Sequence, residues 1–279
     1  NYKYPFQDQL LIYAQRPDAI ACAPIELWNQ KLGRWVNKGA KGIALIDDSG
    51  GRLSLRHVFD VADTNSRDNR PVMLWTMEDR YAVAVMETLE NAFGELDGKQ
   101  DMTTALIYAA YNAVEDNFSD YLSDPIDYQD NSFLEELDGL NIEVIFKDML
   151  KSSVAYMLLV RCGYNADEYL SFDDFLNVFH FNTVDTVSRL GAATGDISGM
   201  ILKEIGATVK ELQKAERKQI RTFAKKQETG HNESRKQNSE RIGEHGTDLR
   251  DSGRLPDTRP SAAGGRDAHR QIWDVAQNI

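Results

Sequence analysis

The segment IEVIFKDMLKSSVAYMLLVRC, Ile142 to Cys162, constrains the fold more than any other stretch. Its centre is apolar on every side of a 3.6-residue period, so a helix here has to be wrapped by other elements. Gly163 follows where helices commonly end in left-handed backbone. Wrapping elements lie on both sides in the sequence. MEDRYAVAVMETLENAF sets Tyr81, Val85, Leu89 and Phe93 four residues apart, and MTTALIYAAYNAVEDNF continues in helical style. Ser171 with Asp174 reads as a capping box opening FDDFLNVFHF, and Thr183 and Asp196 read as further N-caps. A last amphipathic helix is expected from about Ile197. Residues 76–226 are therefore read as an all-α unit.

Residues 1–75 carry a different pattern. PFQDQLLIYAQ places Phe6, Leu10, Ile12 and Tyr13 near helical spacing, and Arg16-Pro17 ends that helix. Pro24 opens a short helix through IELWNQKL that stops at Gly33. GRWV, IALI and LSLRHVFDV then read as three short strands joined by Gly-rich turns, an antiparallel meander. A slip in apolar alternation near Arg56-His57 suggests a bulge, and VMLW reads as another strand or the start of the next helix. The fold class predicted is α+β: a small meander with helices, an all-α domain, then a disordered tail.

The net charge is −12, unevenly spread. Residues 1–75 hold 10 Lys/Arg against 8 Asp/Glu, residues 76–215 hold 9 against 26, and residues 216–279 hold 13 against 10. A polyanion suits the first or last part and is repelled by the middle. From about Gln227 to the end of the chain, large apolar residues are almost absent until IWDVAQNI, so residues 227–279 are read as a disordered linker ending in a short helix or docking segment. Cys22 and Cys162 have no metal or disulfide spacing and read as two buried thiols in a reducing cytoplasm. No apolar run approaches the roughly 18 residues of a membrane helix, so no membrane association is expected. The chain begins at Asn1 in what already reads as helix, and it is expected to be a piece of something longer.

Chemistry-bearing motifs are few. None of His57, His180, His231, His245 and His269 lies at metal-ligand spacing from another. GAATGDISG lacks the Gly-Lys-Ser/Thr ending of a phosphate loop and reads as an interhelical turn. DYLSDPIDYQDNSFLEELDG lacks the order and central glycine of a calcium loop. No cofactor, metal or catalytic residue is expected. What remains is NKGAKG. Its glycines suit a tight connection, and Lys38 and Lys41 then sit at a hairpin tip where no core uses them. Arg34 is nearby in sequence, and Trp28, Trp35 and Tyr13 supply flat rings. Cations beside aromatic faces are what single-stranded nucleic acid needs.

LLIYAQRPDA, KLGRWVNKGAKGIALI and HVFDVADT together resemble the N-terminal domain of ArdC-type antirestriction proteins. The matching residues are Arg16, Pro17, Trp28, Leu32, Gly33, Arg34, Val36, Lys38, Gly39, Lys41, Gly42, Val58, Phe59, Asp60, Val61 and Thr64. The resemblance implies a non-enzymatic single-stranded-DNA-binding region; position and residue type make Arg34, Lys38, Gly39, Lys41, Gly42, Trp28, Trp35 and Tyr13 its candidate contacts. The zinc-peptidase-like domain that follows in that family has no counterpart, since no HExxH occurs. The chain as a whole resembles instead the start of large conjugative-element proteins of Firmicutes, which carry DNA-methylase and helicase-like regions further along. Two alternatives stand beside DNA binding: an acidic module that binds a basic protein or imitates DNA, and a fragment of an enzyme whose catalytic parts lie outside this chain.

Overall fold

The structure is a computed structural model that describes residues 1–67, 72, 74–97 and 101–244, with side chains as far as Thr222. Residues Asn1–Gln219 form one compact unit, and a second begins at Ile220. The first contains α1 (Phe6–Gln15), β1 (Cys22–Ala23), α2 (Ile25–Lys31), β2 (Arg34–Val36), β3 (Ile43–Asp47), β4 (Ser54–Asp60), β5 (Thr64–Ser66), α3 (Ala82–Phe93), α4 (Met102–Asn117), α5 (Ser123–Asp127), α6 (Gly139–Cys162) and most of the apolar part of α7 (Val184–Glu244). A 3-10 segment, Phe172–His180, precedes α7. Small antiparallel sheets with abundant helix make the protein α+β. The helix runs on to Glu244, past the Gln227 where composition predicts loss of order. The remainder of that linker, with IWDVAQNI, lies outside the described residues.

The helices form where periodicity places them. α6 packs on α4 and on the 3-10 segment, and α4 packs on α3. Ala105, Ala109 and Ala113 are fully buried on α4, and such small side chains let two helix axes come close. α6 buries Ile142, Phe146, Met149, Leu150, Val154, Leu158 and Leu159, and ends as expected with Gly163 in left-handed backbone at φ 89°. Its envelope is incomplete, because Val144 and Val160 remain half exposed. The capping box at Ser171 forms, with Asp174 accepting from the Ser171 N–H at 2.7 Å, but it opens a 3-10 rather than an α-helical run.

GAATGDISG is not a turn. Residues 191–199 lie inside α7, and Asp196 is a mid-helix residue rather than an N-cap. Thr183 does take the capping place, its hydroxyl accepting from Thr186 N at 3.2 Å. The glycines have a packing reason that local patterning cannot register. A Cβ on Gly191 would collide with the Phe6 ring, and one on Gly206 would sit 2.8 Å from Trp75 Nε1. Two aromatic side chains from the first third of the chain are thus seated in notches of α7.

The strands do not form one meander. β3 and β4 make the expected antiparallel hairpin, with Ile43 opposite Val58 and Asp47 opposite Ser54, and β1 joins the other edge of β4. β2 pairs instead with β5 in a separate two-stranded ribbon, Trp35 opposite Asn65. The reason lies at the β3 edge, which is already occupied. The Gln15 side-chain amide donates to Ala44 O at 2.8 Å and accepts from Ala44 N at 2.9 Å, so α1 closes the edge that β2 would have used. On the far edge, Cys22 N donates to Asn1 Oδ1 at 2.7 Å, and Tyr4 Oη donates to Cys22 O at 3.0 Å. β4 carries no bulge: its pairing with β3 is unbroken from Ser54 to Val58. Val58 and Asp60 point inward, while Leu53 and Leu55 sit on the opposite, exposed face. That accounts for the shift in apolar phase. Val72, Leu74 and Trp75 belong to neither strand nor helix.

Two apolar clusters result. The smaller holds Ile12, Ile43, Leu45 and Val58 between α1 and the sheet. The larger runs from Trp75 through the helices to Val209. The α7 notches yield a paired test. Gly191→Ala overpacks the Phe6 seat and should destabilise by about 1–3 kcal/mol. Gly199→Ala, whose Cβ meets nothing within 4 Å, should stabilise by about 1 kcal/mol through helix propensity. Urea denaturation of both variants reads the two signs.

Candidate nucleic-acid interface

The NKGAKG segment links two sheets. Asn37 N donates to Asp63 O at 2.8 Å, continuing the β2–β5 ribbon, and Ala40 N donates to Asn37 O at 3.1 Å to close a four-residue turn. Gly39 holds φ 89° at the third position, the conformation a type II turn reserves for glycine. Lys38 occupies the turn corner and Lys41 follows it, so the pair stands on a crossover turn instead of a hairpin tip. Both are exposed, and neither makes an ion pair or hydrogen bond with another described residue. Gly42 is required for a different reason from Gly39. A Cβ there would lie 3.2 Å from both His57 Cβ and Phe59 Cζ, so the chain hugs β4 as it enters β3.

The other expected contacts separate. Trp28 is 2% exposed, and its Nε1 donates to Phe59 O at 2.9 Å. It is a core residue with no face left for a base. Arg34 is committed to Thr64, donating from Nε to Oγ1 at 2.7 Å and from an Nη to the carbonyl at 2.6 Å. Tyr13 is 67% exposed but lines a cleft of about 400 Å³ between α1, α6 and α7, with Leu10, Tyr156 and Phe175. Of the rings, Trp35 is the one on the same ribbon as the lysine turn. It is 46% exposed on the outer face of β2, with the Arg67 guanidinium 5.3 Å from its ring centre.

Cross-strand pairing adds residues that sequence reading alone passed over. Residues opposite each other in a ladder share a face, as do residues two apart. Trp35, Asn65, Asn37 and Arg67 therefore share the outer face of the ribbon, and Asn65 Nδ2 donates to Asn37 Oδ1 at 2.8 Å. The signal that could have found them was the β2–β5 pairing, which propensity does not reveal. The surface joins two cations on a turn, a ring with a guanidinium on it, and two amides. It can hold phosphates and stack one base, and it contains no nucleophile or acid/base pair.

Most of the family-like residues instead form the frame beneath. Asp60 is 1% exposed and accepts from Ile20 N and Ala21 N at 2.8 Å and from Ala62 N at 3.0 Å. Arg16 pairs with Asp63, and the Thr64 hydroxyl donates to Val61 O at 2.9 Å. Of the histidines, His57 is exposed on β4 and His180 ends the 3-10 segment. The side chains of His231, His245 and His269 lie outside those described. Among the described residues no group of His, Cys, Asp or Glu is placed to hold a metal ion, and no helix is long and apolar enough to cross a membrane. Both cysteines are free thiols, Cys162 buried and Cys22 half-buried.

Replacing Asp60 by Ala would strip three backbone N–H groups of their acceptor. The expected loss is about 3 kcal/mol or more of stability. A fall in urea midpoint smaller than that of a surface control such as Asp48→Ala would refute the pinning role.

No family model matches the chain, and neither a curated protein nor a solved structure is detectably similar to it.

Proposed function

We propose that residues 1–75 are a non-enzymatic single-stranded-DNA-binding module of a cytoplasmic protein that handles mobile-element DNA. The observation that carries this reading is the pair Lys38 and Lys41, exposed on a crossover turn with no partner among the described residues, beside a ribbon face bearing Trp35 and Arg67. The resemblance of the surrounding frame to the ArdC-type N-terminal domain supports it. Lysines supply phosphate contacts, and the ring stacks on a base of any identity, so binding is sequence-tolerant. The net negative charge of residues 76–215 disfavours a strand lying along that region and so favours this one. Affinity is modest and salt-dependent, because few phosphates are neutralised.

Labelled oligonucleotide is titrated against wild type and the Lys38→Glu, Lys41→Glu variant at several salt concentrations. Loss of two phosphate contacts should lower the salt slope by about 1.4 in the variant. Trp35→Ala should weaken binding by about 1–3 kcal/mol with the slope unchanged. Equal affinity for all three proteins removes the turn and ribbon from the site.

A second reading, an acidic module that docks a basic protein surface, is favoured by Phe172 and Phe179, exposed in the same 3-10 segment as Asp173 and Asp174. It predicts that the chain displaces DNA from a basic DNA-binding protein in a gel-shift assay, and that Asp173→Lys weakens the displacement. No displacement at any ratio ends it.

A further inference from the structure

A cleft of about 480 Å³ lies where the start of the chain meets α6 and α7, away from the lysine turn. Arg161, Lys210 and Lys3 all line it, and no Asp or Glu does. In this molecule that is unusual, since residues 76–215 hold 26 acidic side chains against 9 basic ones. Several other cations of the helical region sit against carboxylates. Lys147 and Lys151 reach Glu115 at 3.1 and 2.5 Å, and Arg80 reaches Glu78 at 3.0 Å.

Arg161 is not matched, although it is half-buried. Its guanidinium lies 3.5 Å from the Trp75 ring centre and 5.6 Å from that of Tyr2, and one Nη donates to Trp75 O at 3.1 Å. Stacking fixes the plane of the group and one hydrogen bond fixes its rotation. Its other N–H groups have no described partner. Burial lowers its pKa, and no carboxylate acts to raise it again. Burial likewise pushes the Cys22 thiol up to about 11, so at neutral pH this lining residue is uncharged. The side chains of the cleft therefore carry positive charge and no negative charge.

We propose that this cleft binds a small phosphate monoester, with Arg161 as the oriented fork and Lys210 and Lys3 as flanking charges. A held guanidinium with donors to spare suits phosphate geometry, and two lysines complete the charge of a dianion. The cleft exceeds what bare phosphate fills, and Leu74 and Ile20 on its wall suit an uncharged organic part of nucleoside size. The site is separate from the proposed DNA interface, and neither reading depends on the other.

Calorimetric titration of the full chain with thymidine monophosphate, thymidine and inorganic phosphate tests it. The monophosphate should bind and thymidine should not, with phosphate weaker than the monophosphate. Arg161→Gln should weaken monophosphate binding about tenfold or more, as loss of charge-assisted hydrogen bonds does. Lys210→Glu, at an exposed position, should also weaken it. The Lys38→Glu, Lys41→Glu variant should bind it as wild type does, which keeps this result distinct from that of the DNA titration. A parallel comparison of 5′-phosphorylated and unphosphorylated oligonucleotides tells a strand end from a free metabolite. A preference for the phosphorylated strand that Lys210→Glu removes upholds the site at a strand end. No monophosphate binding up to about 10 mM overturns the proposal, as does equal binding by wild type and Lys210→Glu. If Arg161→Gln fails to fold, Lys210→Glu alone decides.

Discussion

Three backbone N–H groups, from Ile20, Ala21 and Ala62, converge on the buried carboxylate of Asp60, and the layout of the N-terminal region follows from that convergence. One oxygen holds the segment entering β1, and the other holds the 3-10 turn that leaves β4. That turn carries Asp63, which anchors Arg16 at the end of α1, and leads to Thr64, which anchors Arg34 at the start of β2. The ribbon, and with it the lysine turn, is thus positioned from beneath. A buried carboxylate satisfied by main-chain donors is a directional restraint that apolar packing cannot supply.

This arrangement changes what the family-like motif means. Arg16, Trp28, Arg34, Asp60 and Thr64 are engaged with the protein itself. They specify a frame, and a frame constrains many residues. A surface that meets a ligand constrains few. Here the exposed charged members are Lys38 and Lys41, and the neighbours completing their surface, Trp35, Asn65 and Arg67, lie outside the motif.

Local periodicity made much of the fold legible. The ends of α1, α2 and α6 and the Tyr81–Val85–Leu89 stripe were readable because each depends on residues within one or two turns. Strand partnership was not, because alternation reports which side is buried and says nothing of the neighbour. The β2–β5 pairing depends on a glutamine in α1 already holding Ala44. GAATGDISG misleads for a related reason: glycine propensity argues for a turn, and only the Phe6 ring, far away in sequence, explains a glycine in mid-helix. Trp28 shows that a tryptophan in sequence does not reveal whether its ring faces a core or a solute. The cationic cleft was invisible for the same reason, since its three charges come from residues 3, 161 and 210.

Sheets with open margins invite other chains to extend them. The three-stranded sheet here ends on both sides in main-chain groups already bonded to side chains: Ala44 to Gln15 on one margin, Cys22 to Asn1 and Tyr4 on the other. Each is an amide or phenol acting in place of a neighbouring backbone. An incoming strand would have to displace these bonds before making its own. A sheet too short to close into a barrel thereby gains protection against self-templated stacking, and the protection rests on individual side chains that one substitution could remove.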